Sequence, residues 1–421
     1  MKIQDNYADG KILWFNDFYL EDDRMFFSAG NFNALYEFLI KEDKLQFLGT
    51  FKDENLLCKQ LYGKIHRYKD KLIFTPLSAE NIAIYDLKNK EFKAIPLPSP
   101  KIPCGFEGKF LNSVLLDNRL LMFPGRFYCV VEYNLDSDEV LVHDDWYNKC
   151  VKRWGKRSYL LFSYDMVKVG ENIFLPSALN SGVFQYCLNE NKYDFIDVIC
   201  ECKNLSTLAY DEEHFWSTTD DGKLLIMKDN GTIIECIDIY AVYGECGPFY
   251  RSIYEDGYLW LFLSQKSKII KINCDNYIGE YEVLEFSEEE KTYSNLEYHT
   301  VNFVERKNGK IIFMSRANRE LLYINNRTVN KYMDHIADTS MYSEKEVKEI
   351  DLYKINVEYA NKKNLYFHEQ NNVILHEKTS SADSLGFLLE EVDRKKSGED
   401  NKDNSHSGKK VGESVYENCC N

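Results

Sequence analysis

Short apolar runs recur along the chain, each opened by a charged or turn residue and closed by a bulky side chain. They read Arg24-Met-Phe-Phe27, Lys71-Leu-Ile-Phe74, Arg119-Leu-Leu-Met122, Asn172-Ile-Phe174, His214-Phe-Trp216, Tyr258-Leu-Trp260 and Lys310-Ile-Ile-Phe313. The closing residues are 47, 48, 52, 42, 44 and 53 positions apart, a mean period of about 48. A second run follows each at similar distance, and in the first half it ends in Tyr, a small or polar residue and an apolar one: Tyr36-Glu-Phe38, Tyr85-Asp-Leu87, Tyr133-Asn-Leu135 and Tyr186-Cys-Leu188. Met227, Ile272 and Ile324 take that place in the second half. Pro76, Pro124 and Pro176 lie two residues past their closing residue. Proline has no N–H to give a ladder, so each marks a strand end.

Turn chemistry punctuates the same unit. Residues 88–90, 136–138, 189–191, 229–231, 275–276 and 325–326 are Asn, Asp, Gly, Ser, Glu or Lys. Asn, Asp and Gly tolerate the positive φ of tight hairpins. A short third run follows each turn, as at 92–97, 140–143 and 233–239, and another run precedes each closing residue, as at 249–257 and 300–309. Four short strands per unit predict an all-β fold: a ring of about seven four-stranded blades over residues 1–340. A pair of β-sandwiches is the competing reading, and it gives no reason for one period held seven times.

The unit resembles the blades of kelch-like and related bacterial β-propellers, over about four fifths of the chain. The double glycine of kelch blades is absent; its places hold Ser28-Ala29, Thr75-Pro76, Phe123-Pro124 and Leu175-Pro176. No Trp-Asp blade ending or Asp-box stands in its stead. The resemblance implies a fold and, by analogy, a binding scaffold, with no named activity.

Beyond residue 340 the pattern changes. Residues 341–394 read as a C-terminal strand and helix extension. Ser343-Glu-Lys-Glu346 fits a capping box. Residues 350–359 alternate imperfectly and would suit a strand closing the last blade. Asp383 caps a helix with Leu385, Leu388, Leu389 and Val392 on one face. Residues 395–410 hold no apolar side chain, so 395–421 reads as a disordered linker and short tail.

Composition narrows the function classes. The net charge is −16 over 421 residues, which argues against nucleic acid or an anionic membrane as partner. No apolar run approaches the ~20 residues of a membrane span, and no export signal opens the chain. The expected setting is the cytoplasm, where the twelve cysteines are reduced thiols; abundant Lys and Asn suggest an AT-rich bacterial genome. No catalytic signature, phosphate loop or His-Glu-x-x-His occurs. His368-Glu369, His376-Glu377, Cys200-Glu-Cys202 and Cys419-Cys420 lack the partners a metal site requires, so no metal, cofactor or catalytic residue is assigned.

Candidate binding residues follow from propeller geometry. Loops joining strands two and three, and one blade to the next, emerge on one face. Trp146, Arg153, Trp154 and Arg157 fall in the most basic and aromatic stretch of an acidic chain, and Tyr243 lies in another blade-to-blade loop. Glu80, Arg126 and Arg316 lie in within-blade loops. His66 and Arg251 lie on predicted first strands and face the channel. Arginine recognises carboxylate or phosphate bidentately, and Trp or Tyr supply stacking area. Two readings remain. One is a non-catalytic scaffold taking a protein or peptide on the loop face. The other is an enzyme or receptor for a sugar or small anionic metabolite in the channel, with Arg251, His66, Arg126 and Arg316 binding the anion and Glu80 as acid or base.

Overall fold

Among the described residues, four consecutive strands pair into each of seven antiparallel sheets, and no sheet borrows a strand from another. The computed structural model describes residues 15–333 except 31, 43, 56–57, 100–107, 156–159, 202–203, 287–299, 308, 316–319 and 326–327. The C-terminal extension, linker and tail lie outside the described residues. The blades cover residues 18–49, 62–96, 110–143, 167–197, 209–238, 249–285 and 301–333. Together they form a seven-bladed β-propeller. Blade seven takes all four of its strands from Val301–Lys307, Lys310–Ser315, Leu321–Asn325 and Thr328–Met333.

The apolar runs are the second strands, and their composition follows from burial on both faces. In Arg24–Ser28, Met25 and Phe27 pack toward blade seven, while Phe26 packs toward blade two. Every blade boundary has its own apolar cluster, seven among the described residues. A strand buried on both sides has no polar alternation to show and reads as a continuous run. The boundary between blades seven and one closes the ring. Phe15 stacks at 5.6 Å on Phe303, and Phe18 lies 5.7 Å from the same ring.

The closing residues of the sequence repeat do not all face the same way. Phe27, Phe74 and Met122 face the preceding blade, whereas Phe174, Trp216 and Trp260 face the following one. Side chains alternate along a strand, so an offset of one residue moves a side chain to the other face. Leu175 and Leu261 are the residues that face the preceding blade in blades four and six.

Pro76, Pro124 and Pro176 end their strands as expected. Lys90, Asp138 and Asn191 adopt φ of 60°, 59° and 51° at the hairpins between third and fourth strands. A further repeat becomes visible in three dimensions. Arg24 at the start of its second strand reaches Glu37 diagonally across the sheet, and Arg119 reaches Glu132 at 2.6 Å with the same spacing. In blade six the equivalent pair is Tyr258 and the buried Lys271, whose ammonium lies 3.9 Å from the ring centroid. In blade seven it is Lys310 over Tyr323 at 4.5 Å. The diagonal position keeps a complementary pair while the chemistry changes. The eight described cysteines are free thiols, and burial pushes those of Cys150 and Cys274 up to about 12.

Candidate functional site

First strands of neighbouring blades run side by side around the axis: Phe18–Glu21 beside Tyr62–Tyr68, that beside Phe110–Leu116, and Val167–Val169 beside Ala209–Tyr210 beside Phe249–Glu255. Polar side chains on these strands, or just before them, link one blade to others. Asp17, just before the first strand of blade one, accepts from Ile65 N at 2.9 Å and Lys307 Nζ at 2.8 Å. It thereby ties blades one, two and seven. Asp165, just before blade four, accepts from Leu208 N, Ser252 N and Ser252 Oγ, each at 2.9 Å, and pairs with Arg251 Nη1 at 3.2 Å. It ties blades four, five and six.

Two further contacts skip a blade. Lys64 of blade two pairs with Glu305 of blade seven, and Arg251 of blade six donates to Tyr164 O beside blade four. His66 Nε2 lies 2.7 Å from Ser113 Oγ, which lies 2.6 Å from Thr75 Oγ1. The axis thus gathers Asp17, Asp165 and Glu305 with Lys64, Arg251 and Lys307.

Burial governs how these groups titrate. It opposes ionisation of Asp17, but Lys307, Lys64 and the hydrogen bonds together hold that carboxyl below its usual range. Burial pushes Asp165 up despite Arg251 and its hydrogen bonds. Lys64 is pulled down to about 7 by burial, with Arg251 and Lys307 acting in the same direction and Asp17 and Asp165 against. Burial lowers His66 to about 4, so it is neutral at pH 7.

His66 and Arg251 stand on the first strands of blades two and six. Asp17, Lys64, Asp165, Glu305 and Lys307 carry no motif in the sequence. The available signal was short: Lys64 with His66, and Glu305 with Lys307, are two residues apart and so share a strand face. Glu80 lies in the loop between the second and third strands of blade two. It is exposed and pairs with Lys109 Nζ at 3.0 Å, and Lys109 also donates to Ala79 O at 2.8 Å. Arg126 lies in the neighbouring blade's loop, its backbone N–H bound to Gly108 O at 2.8 Å.

The basic-aromatic stretch requires a correction. It is not an open loop: Tyr147–Trp154 is a helix whose Tyr147, Cys150 and Trp154 share the buried face. Trp146 is fully buried against Phe162 and Phe184, its Nε1 donating to His143 O at 2.9 Å. Trp154 packs edge-on against Phe195, its Nε1 bound to Asp197 at 2.8 Å. Arg153 grips the same carboxylate through Nε and Nη2 at 3.0 and 2.6 Å. Tyr243 is also buried, at the end of a short helix, Ile239–Tyr243, capped by Asp238. Indole and phenol rings bury more area by packing than by waiting in solvent. Arg157 and Arg316 lie outside the described residues.

What the loop face does expose is different. Ile199, 92% exposed, follows blade four, and Tyr240, 66% exposed, follows blade five. Among the described residues no group of three or more His, Cys, Asp or Glu side chains is placed to hold a metal, and no helix is long and apolar enough to cross a membrane.

No family model and no curated protein matches the chain. Solved structures do. A streptogramin B lyase structure matches at TM-score 0.52 and 12% identity, over 77% of this chain and 97% of that one. YCF48 from Cyanidioschyzon merolae matches at TM-score 0.51 and 10% identity, over 73% of this chain and 92% of that one. At such identities the likeness is one of fold: the chain is a β-propeller.

Proposed function

We propose that the protein is a non-catalytic binding scaffold of the cytoplasm whose blade-to-blade loops take a protein or peptide partner. The observation that carries this reading is the position of Ile199 and Tyr240. They are the most exposed large apolar side chains among the described residues, and both stand on consecutive blade-to-blade connections. Exposed apolar groups on a rigid ring lose little conformational entropy on docking and gain burial at a partner's surface. The helix Ile239–Tyr243, capped by Asp238 and ended by Gly244 at φ 72°, holds Tyr240 outward.

A photo-crosslinking residue placed at 199 or 240, in the full chain in its native lysate, should capture one defined partner. The same residue at Ile278, exposed on a turn between a third and fourth strand, should not. An Ile199→Asp, Tyr240→Ala double variant should release that partner while its thermal midpoint is unchanged. Equal capture at all three positions, or capture unaffected by the double variant, would sink the reading.

A further inference from the structure

We propose that the outer edge of blade three binds an extended, basic segment of a partner protein, which adds a fifth strand to that sheet. The inference is independent of the loop-face reading, because it rests on the strand Val140–His143 and on no blade-to-blade loop.

Among the described residues, each blade ends in an outer strand that is paired on one side only. An unpaired edge invites another chain, and charged side chains are the usual guard against it. Lys44–Gly49, Glu91–Pro96, Lys192–Asp197, Ile233–Asp238, Tyr281–Glu285 and Thr328–Met333 each hold at least one Lys, Asp or Glu. Val140–His143 holds none. Leu141 is 42% exposed and Val142 39%. Consecutive residues of a strand point to opposite faces, so this edge is apolar on both. Its one polar side chain, His143, is turned to its own blade, with Nε2 3.3 Å from Glu132 Oε2.

The register fixes which backbone groups the edge presents. Asn134 N donates to Glu139 O at 2.9 Å. Bonded and non-bonded pairs alternate along an antiparallel ladder, so Glu132 with Leu141 and Val130 with His143 are bonded pairs, while Tyr133 with Val140 and Val131 with Val142 are not. The N–H and C=O groups of Val140 and Val142 therefore point away from the blade. Their two-residue spacing is the one an added strand uses.

Charge selects the occupant. Exposed Glu139 stands just before the strand, and Asp144 and exposed Asp145 stand just after it. An extended segment with Lys or Arg at both ends and β-branched residues between them meets a carboxylate at either end and apolar side chains in the middle. A second copy of the chain fits worse. Antiparallel pairing of two such strands about Leu141 would set Asp138 of one against Asp144 of the other, and each chain carries a net charge of −16.

The probe is a rhodamine-labelled peptide amide, Lys-Val-Thr-Val-Lys, titrated with the full chain at low salt and read by fluorescence anisotropy. Saturable binding is expected, and roughly tenfold weaker binding of the counterpart Glu-Val-Thr-Val-Glu. Val142→Pro should weaken binding by at least about tenfold at an unchanged thermal midpoint, because the N–H it removes faces outward, where an edge strand tolerates proline. Leu141→Lys should weaken it as much, by placing a cation on the edge, and it decides if Val142→Pro lowers the midpoint. Glu139→Lys combined with Asp145→Lys should reverse the preference between the two peptides. Absence of saturable binding, equal affinity for the two peptides, a preference that survives the charge reversal, or native affinity in Leu141→Lys or a fully stable Val142→Pro would each overturn the proposal. So would a native chain that sediments as a dimer and a Leu141→Lys chain that does not, since the edge would then belong to a second copy.

Discussion

Replacing His66 with Gln should flatten the acid sensitivity of the fold. The imidazole lies on the first strand of blade two and contacts Ser113 Oγ at 2.7 Å. Burial lowers its pKa from 6.5 to about 4, reinforced by Lys64 and Lys307 and opposed by Asp17. Between those values the unfolded chain binds a proton that the folded chain refuses. Stability from this group is therefore full above pH 6.5 and is lost progressively as pH falls toward 4. Each pH unit of separation is worth ~1.4 kcal/mol, so the loss reaches about 3 kcal/mol at pH 4. Other groups act oppositely in part. Glu54, Asp165 and Glu255 are raised by burial, so they lend stability on acidification within their own windows. The informative quantity is thus the difference between proteins. Urea unfolding at pH 7.5 and 4.5 should show the native protein losing about 2–3 kcal/mol more than His66→Gln. Equal losses in the two proteins would refute the assignment of that acid sensitivity to a buried neutral imidazole.

Other perturbations test other parts of the ring. Phe303→Ala removes the ring shared by Phe15 and Phe18 where blade seven meets blade one, and should cost about 3–5 kcal/mol in chemical unfolding. Gly182→Ala would place a methyl 2.6 Å from Trp154 Cζ2, so a loss of about 1–3 kcal/mol is expected, partly recovered by Trp154→Phe. Asp197→Asn should change stability by less than ~1 kcal/mol despite its two-pronged grip on Arg153, because both side chains are nearly half exposed. A large loss there would show the helix Tyr147–Trp154 to be pinned by that pair and not by its buried aromatic face.

How much of this was legible depended on how local the physics is. Blade number and order were readable because each second strand is buried on both sides and each hairpin needs its own turn residues. The facing of individual residues was not: Phe174 and Trp260 are the bulkiest residues of their runs, yet their partners in the ring's register are Leu175 and Leu261. The helix was written in Tyr147, Cys150 and Trp154, whose spacing puts them on one face. Lys152 and Arg153 lie on the solvent side of that pattern. At the axis, each first strand contributes only one or two inward polar side chains, too few to set a local pattern. Asp17 and Lys307 are 290 residues apart. Their pairing follows from ring closure alone, which no local window contains. Ile199 and Tyr240 were unreadable for a simpler reason, since an apolar residue in a loop gives no sign of which way it points.

Blades that are not neighbours meet at a shared polar axis. A double-mutant cycle on Asp165 and Arg251 tests it directly, since these residues lie 86 apart in the chain and on opposite sides of blade five. Asp165→Asn, Arg251→Met and the double variant would be compared by urea unfolding at pH 7.5. The axis described here predicts a coupling of about 2 kcal/mol, because each single change leaves a buried charge without its partner. Losses that add within ~0.5 kcal/mol would contradict it.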